Sequence, residues 1–242
     1  YLPDGREIVC HNGENKYTRA LYGTHGPFRL ETSDRPLFAT FKKGQCRNIR
    51  LYAIIGNQRI ALDSILFDCE ASYLGGRRTY RMTHDDISID VYAMASFLHD
   101  EDAVWKFNTW VIGKGKTIVP YKKKIHFEAV LTNSRSSKFQ RNGDLGVDDL
   151  TKFDADSKTT TISIVRWLGH EETYLLLKGN KELITSPNPS LGREDGYTDL
   201  KKRFDEEERI RQGIMSRVEI NTPDPLFNTL GSVLMAAADG LW

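Results

Sequence analysis

Acid–base hydrolysis needs two carboxyls that converge on one bond, one with a raised pKa, so paired acids are the first residues to weigh. Asp85-Asp86 and Asp148-Asp149 are such pairs. Neighbouring side chains on a strand point to opposite faces, so neither pair converges unless it lies on a turn. Asp144 sits in a glycine-rich stretch, Asp144-Leu-Gly-Val-Asp148-Asp149, that could gather oxygens round a cation. It lacks the ligand order and terminal glutamate of an EF-hand, and Arg141-Asn-Gly-Asp144 beside it is a strong turn signal. The six histidines lie at least fourteen positions apart, and Cys10, Cys46 and Cys69 form no C-x-x-C. Tight metal-ligand spacings are therefore absent, although a site assembled from distant strands stays open. Gly113-Lys-Gly-Lys116 lacks the Lys-Ser/Thr pair and following helix of a phosphate loop and reads as a turn. No spacing supports a Ser/His/Asp or Cys/His nucleophile. No catalytic residue, cofactor or metal ligand is thus assigned to this chain.

Binding chemistry has more material. Sugars stack their C–H faces on aromatic rings, and Trp105, Trp110, Trp167, Tyr73, Tyr80 and Tyr92 supply rings. Trp105 alternates with Phe107 and Val111 and is expected in the core. Trp110 and Trp167 lie on less apolar alternations and are the candidates for an exposed carbohydrate platform. Gly75-Gly-Arg-Arg-Thr-Tyr80 sets Arg77 and Arg78 beside flexible backbone, where they could hold uronate carboxylates bidentately.

The elements that would position these residues are mostly strands. Ile87, Ile89, Val91, Ala93, Ala95 and Phe97 share one face of Ile87–Phe97; Ile125, Phe127, Ala129 and Leu131 do so in Ile125–Leu131. Period-two alternation of this kind buries one face against a second layer. Phe28–Glu31, Leu37–Phe41, Arg50–Ile55, Arg59–Phe67, Ala103–Ile112, Thr160–Leu168 and Thr173–Leu177 read as further strands. Gly56-Asn57 and Gly179-Asn180 supply the turns that tolerate positive φ. The pattern predicts a mainly β protein, a large antiparallel β-sandwich over residues 1–190. Residues 191–220 read as a charged linker with an amphipathic helix from Tyr197 to about Arg211. Asp224-Pro225 then starts a second helix, a side-chain cap followed by proline at the first helical position. Leu226, Leu230, Val233, Leu234, Ala237 and Leu241 form its apolar stripe. This helix, over 221–242, is expected to pack into a helical domain beyond Trp242, or else on the sandwich itself.

The chain has 242 residues, with 34 Lys and Arg against 33 Asp and Glu. That balance argues against a nucleic-acid surface, and no stretch of about 18 uncharged apolar residues is present to span a bilayer. Ordinary composition and this length allow one large β domain.

Tyr22-Gly-Thr-His-Gly-Pro-Phe-Arg-Leu-Glu-Thr-Ser-Asp-Arg-Pro36, Arg141-Asn-Gly-Asp-Leu-Gly146 and Thr222-Pro-Asp-Pro-Leu-Phe-Asn-Thr-Leu230 resemble signatures of an uncharacterised bacterial domain. That domain precedes a six-hairpin (α/α)6-barrel glycoside-hydrolase-like domain. The resemblance runs from about Thr18 to Trp242. It implies a β-supersandwich, a helical linker and the first helix of the barrel, in a periplasmic or extracellular protein. The barrel, where such proteins carry their acid and base, would be the partner of this chain and the parent a glycoside hydrolase. His25, Arg141, Asp144, Leu226, Leu230, Leu234 and Trp242 are then the candidates for the contact between the two domains. A stand-alone carbohydrate-binding module is the other reading, with glycan as the ligand.

Overall fold

The computed structural model describes residues 2–15, 19–23, 28–42, 45–112, 118–119, 125–133, 160–169, 171–186 and 195–241. Two antiparallel sheets face each other, with two helices following in the chain. In the first sheet the order is β1 (Leu2–Asp4), β2 (Glu7–His11), β8 (Asp68–Leu74), β9 (Arg77–His84), β10 (Ile87–Ala95), β11 (Ala103–Ile112), β15 (Glu172–Lys178) and β16 (Glu182–Ser186), with β12 (Ile118–Val119) also on β11. The second runs β14 (Thr161–Leu168), β13 (Ile125–Asn133), β6 (Arg47–Ile55), β5 (Leu37–Phe41), β4 (Arg29–Thr32) and β3 (Arg19–Tyr22), with β7 (Gln58–Ala61) also on β6. A mainly β sandwich followed by helices is thus the architecture.

The alternation read from the sequence sets the register. Ile89 lies opposite Met82 on one side and Thr109 on the other, and Val91 opposite Tyr80 and Phe107, so whole rows of β8 to β11 face inward together. Rings from both sheets meet in the middle. Phe38 of β5 packs edge-on to Tyr80 and Trp105, with centroids 5.9 and 5.5 Å away. Phe107 packs against Phe127 and Trp167 at 5.2 and 5.3 Å. Such pairs add geometric preference to their large buried area.

Turns fall where glycine, asparagine and aspartate allow positive φ. Gly56-Asn57 joins β6 to β7, and Gly179 and Asn180 start the β15–β16 turn with φ 56° and 53°. Asp85-Asp86 is the two-residue connection of β9 to β10, with Asp85 at φ 53°. Its carboxyls belong to a hairpin tip. One strand expectation fails in part: Arg59–Phe67 pairs only to Ala61, and residues 62–67 turn away, because the Arg35 guanidinium holds the Ser64 and Phe67 carbonyls at 2.9 and 2.8 Å.

Helix α1 (Asp195–Met215) outruns the expected Tyr197–Arg211 span at both ends. It lies against the outer face of the first sheet, with Phe204 buried among Met94, Val104 and Tyr174. Helix α2 (Pro225–Leu241) packs on α1 and on strands β1, β3 and β8. No helix among the described residues is long and apolar enough to cross a membrane.

Candidate functional site

The distinctive surface is on α2, and its placement begins with α1. Glu207 of α1 is fully buried and accepts hydrogen bonds from the Ser96 hydroxyl, the Phe97 amide and Arg203 Nε. Arg203 also reaches the Ser96 hydroxyl at 2.8 Å and Asp102 at 3.5 Å. The next residue, Glu208, joins Arg77 of β9 at 2.8 Å and Arg211, while Arg211 Nη1 donates to the Gly75 carbonyl at 2.9 Å. At the N-terminal half of α1, Lys201 and Lys106 flank Glu172 of β15. Burial alone would raise the Glu172 pKa, but these ammonium groups outweigh it and hold the carboxyl at about 2.

The chain enters α2 through residues of the Thr222–Leu230 segment. Thr222 and Asn228 bond reciprocally, amide to side-chain carbonyl at 2.7 Å and side-chain amide to carbonyl at 3.0 Å. Asp224 caps the helix, its carboxylate accepting the Leu226 amide at 2.8 Å, as the Asp-Pro pair predicts. Gly231 lets the backbone at Val218 lie close: a Cβ there would stand 3.0 Å from the Val218 carbonyl.

The expected apolar stripe of α2 is split between two environments. Thr229, Gly231 and Ser232 are buried against the body, Val233 packs on the main core, and Met235 packs with Phe97, Ile214 and Met215. Leu226, Phe227 and Leu234 are 54%, 54% and 59% exposed, with half-buried Leu230 between them. Positions 226, 230 and 234 are four apart and line one side of the helix. The face turned inward thus mixes Thr229, Gly231 and Ser232 with Val233 and Met235, while a row of large apolar side chains faces solvent, where an ordinary surface helix carries polar ones.

The other sequence candidates separate. Trp167 is not a platform: it is buried against Phe107 and Phe127, and its indole N–H donates to the Thr173 hydroxyl at 3.3 Å. β14 alternates Ile162 and Ile164 with Val165 and Trp167, so both phases look half-apolar, and the facing sheet chooses. Arg78 is not a loop ligand either. It points between the sheets, 1% exposed, and reaches Asp34 at 3.5 Å and the Ser33 carbonyl at 3.3 Å. Arg77 is half-buried and bound to Glu208. Trp110 is half-buried on the outer face of the first sheet, in register with Ser88. Of the interdomain candidates, Leu226, Leu230 and Leu234 come together on α2. His25, Arg141, Asp144 and Trp242 lie outside the described residues, as do Asp148-Asp149 and the Gly113–Lys116 turn.

Sequence reasoning missed two features. One is the Glu207 clamp, whose buried carboxylate looks like one more member of a solvated charge run. The other is the corner Ser33-Asp34-Arg35 between β4 and β5, buried and hydrogen-bonded to Asn12, Asn15, Ser64, Phe67 and Tyr80. The Tyr22–Pro36 signature, which contains it, is its only trace in the sequence. Among the described residues no group of three or more His, Cys, Asp or Glu side chains is placed to hold a metal ion. In comparisons with known proteins, no family model matches the chain and no curated protein matches it in sequence.

Proposed function

We propose that this chain is a non-catalytic β-sandwich domain of a modular, glycoside-hydrolase-like protein, and that it docks a helical domain of the same polypeptide through α2. The observation that carries the reading is the solvent-facing row Leu226, Phe227, Leu230 and Leu234 on a helix whose other face is held by the body. A neighbouring helix laid along positions 226, 230 and 234 would bury that row ridge into groove. The resemblance of Tyr22–Pro36 and Thr222–Leu230 to the domain that precedes (α/α)6 barrels supports the same partner. It also supports a periplasmic or extracellular setting. The role is mechanical: the Glu207 and Glu208 clamps fix α1 to the sandwich, and α2 packs on α1, so a barrel seated on α2 is tied to the sandwich through both helices.

The test is the double substitution Leu226→Glu and Leu234→Glu. Both side chains are exposed, so the unfolding free energy of the chain should change by no more than about 0.5 kcal/mol, as is typical of surface changes. In the intact natural polypeptide the same substitutions should free the two domains, read as faster proteolysis between them and a larger radius of gyration. Unchanged proteolysis and dimensions would overturn the docking role.

A further inference from the structure

A cavity of about 270 Å³ opens at the Ser33–Arg35 corner, on Glu14, Ser33, Arg35, Leu37, Asp63 and Ile65. Its walls are pinned. The Asn15 amide donates to the Asp34 carboxylate at 3.0 Å, and the Asp34 amide to the Asn15 carbonyl at 2.8 Å. Asn12 sits at φ 45°, and its side-chain carbonyl takes the Cys69 amide at 2.8 Å and Arg35 Nη2 at 3.3 Å. Gly13 is required there, since a Cβ would fall 2.3 Å from Asp34 Oδ2. Arg35 Nη1 holds the Ser64 and Phe67 carbonyls, which fixes the 62–67 turn as the opposite wall. One arginine therefore ties together three segments that are far apart in the chain. Ile65, at the rim, is 79% exposed.

The lining selects the ligand. Carboxylates are acceptors only. Asp63 already takes Arg50 Nε at 3.0 Å and Nη2 at 3.2 Å, which neutralises its charge but leaves further lone pairs, so it and Glu14 ask for hydroxyl donors. Both terminal nitrogens of Arg35 are engaged by protein oxygens, which leaves no fork for a ligand carboxylate to meet bidentately. Leu37 and Ile65 ask for an apolar face. The volume lies near the lower end for small-molecule sites and suits a single ring. A neutral sugar has this combination: hydroxyl donors, no carboxylate, and a patch of C–H. We infer that the cavity binds one neutral sugar residue, through Glu14, Asp63 and Ile65, at a site separate from α2. The inference does not depend on the docking role, because Leu226→Glu leaves every wall of the cavity in place.

The test is a titration of the whole chain, followed by ¹⁵N chemical shifts, with the methyl glycosides of glucose, galactose and mannose and with glucuronate and leucine. At least one neutral glycoside should bind with a dissociation constant of order ~1 mM, the range for a ligand of this size, with shifts at residues 13–15, 33–37 and 63–65. Ile65→Ser and Glu14→Gln alter exposed side chains, so the fold is kept. Each should weaken binding about tenfold, whereas Trp110→Ala should leave it unchanged. No shifts with any neutral glycoside, tighter binding of glucuronate or leucine, or loss of binding in Trp110→Ala instead would overturn the inference.

Discussion

Burial pushes the Asp90 carboxyl up to about 6, against the pull of Arg81 and the hydroxyl of Tyr92, which donates to Asp90 at 3.3 Å. In the unfolded chain the same group titrates near 3.8. The native state therefore holds an extra proton between those values, and stability rises as the pH falls from about 6 to about 4. Above 6 the charged carboxylate is a standing cost. Asp90→Asn should accordingly stabilise the protein at pH 8 by about 2 kcal/mol and change little at pH 4, read from urea midpoints at the two pH values. An equal effect at both would show that the charge is not what matters. Glu207 is a buried carboxylate that accepts from the Ser96 hydroxyl, the Phe97 amide and Arg203 Nε. Glu207→Ala leaves the Phe97 amide and Arg203 Nε without their acceptor and should lower stability by about 3 kcal/mol at pH 7, measured the same way. Neither residue is conspicuous in the sequence. Asp90 is one polar member of a clean alternation, and Glu207 follows two other acids. Arg78 is concealed for a related reason: its inward direction is intelligible only once Asp34, forty-four positions away, is seen across the sandwich.

At the scale of elements, strands with one apolar phase were legible and those with mixed phases were not. Ile87–Ala95 and Ile125–Asn133 sit where the alternation puts them. Arg77–His84 carries arginines on both phases, and Asp68–Leu74 offers only Cys69, Ala71 and Tyr73 on its apolar phase, so pairing in the sheet reveals them, and Gly75-Gly76 between them looked like a loop rather than a hairpin tip. That tip is where the helices meet the sheet. A Cβ on Gly75 would stand 2.5 Å from Met215 Sδ and 2.7 Å from the Ser232 carbonyl, one atom from each helix. Gly75→Ala should therefore destabilise by about 1–3 kcal/mol, with amide exchange accelerated first in α1 and α2. Gly213, within α1, has nothing within 4 Å of such a Cβ. Gly213→Ala removes backbone freedom from the unfolded chain and should stabilise by about 0.8 kcal/mol. If both alanines had the same sign, close packing at the tip would not be the cause.

For the whole molecule the question is whether sandwich and helices are one cooperative body. The sandwich has its own core, built round Phe38, Tyr80, Trp105 and Phe107, to which α2 adds Val233. What joins the layers is a short set of charged contacts: Glu207 with Ser96, Phe97 and Arg203, Glu208 with Arg77 and Arg211, and Glu172 with Lys106 and Lys201. Only a few apolar side chains, Phe204, Ile214, Met215 and Met235 among them, back these up. Buried pairs are costly to break singly, so the wild-type helices should melt with the sheets. Near-ultraviolet ellipticity from the ring cluster and helical ellipticity at 222 nm should then give one coincident transition. In the double variant Glu207→Ala, Glu208→Ala the helical signal should be lost first, leaving the ring signal at the higher midpoint. Separate transitions already in the wild type would mean that the clamps do not couple the layers. A domain attached through α2 could then swing freely, and the rigid docking assigned to that helix would fall with them.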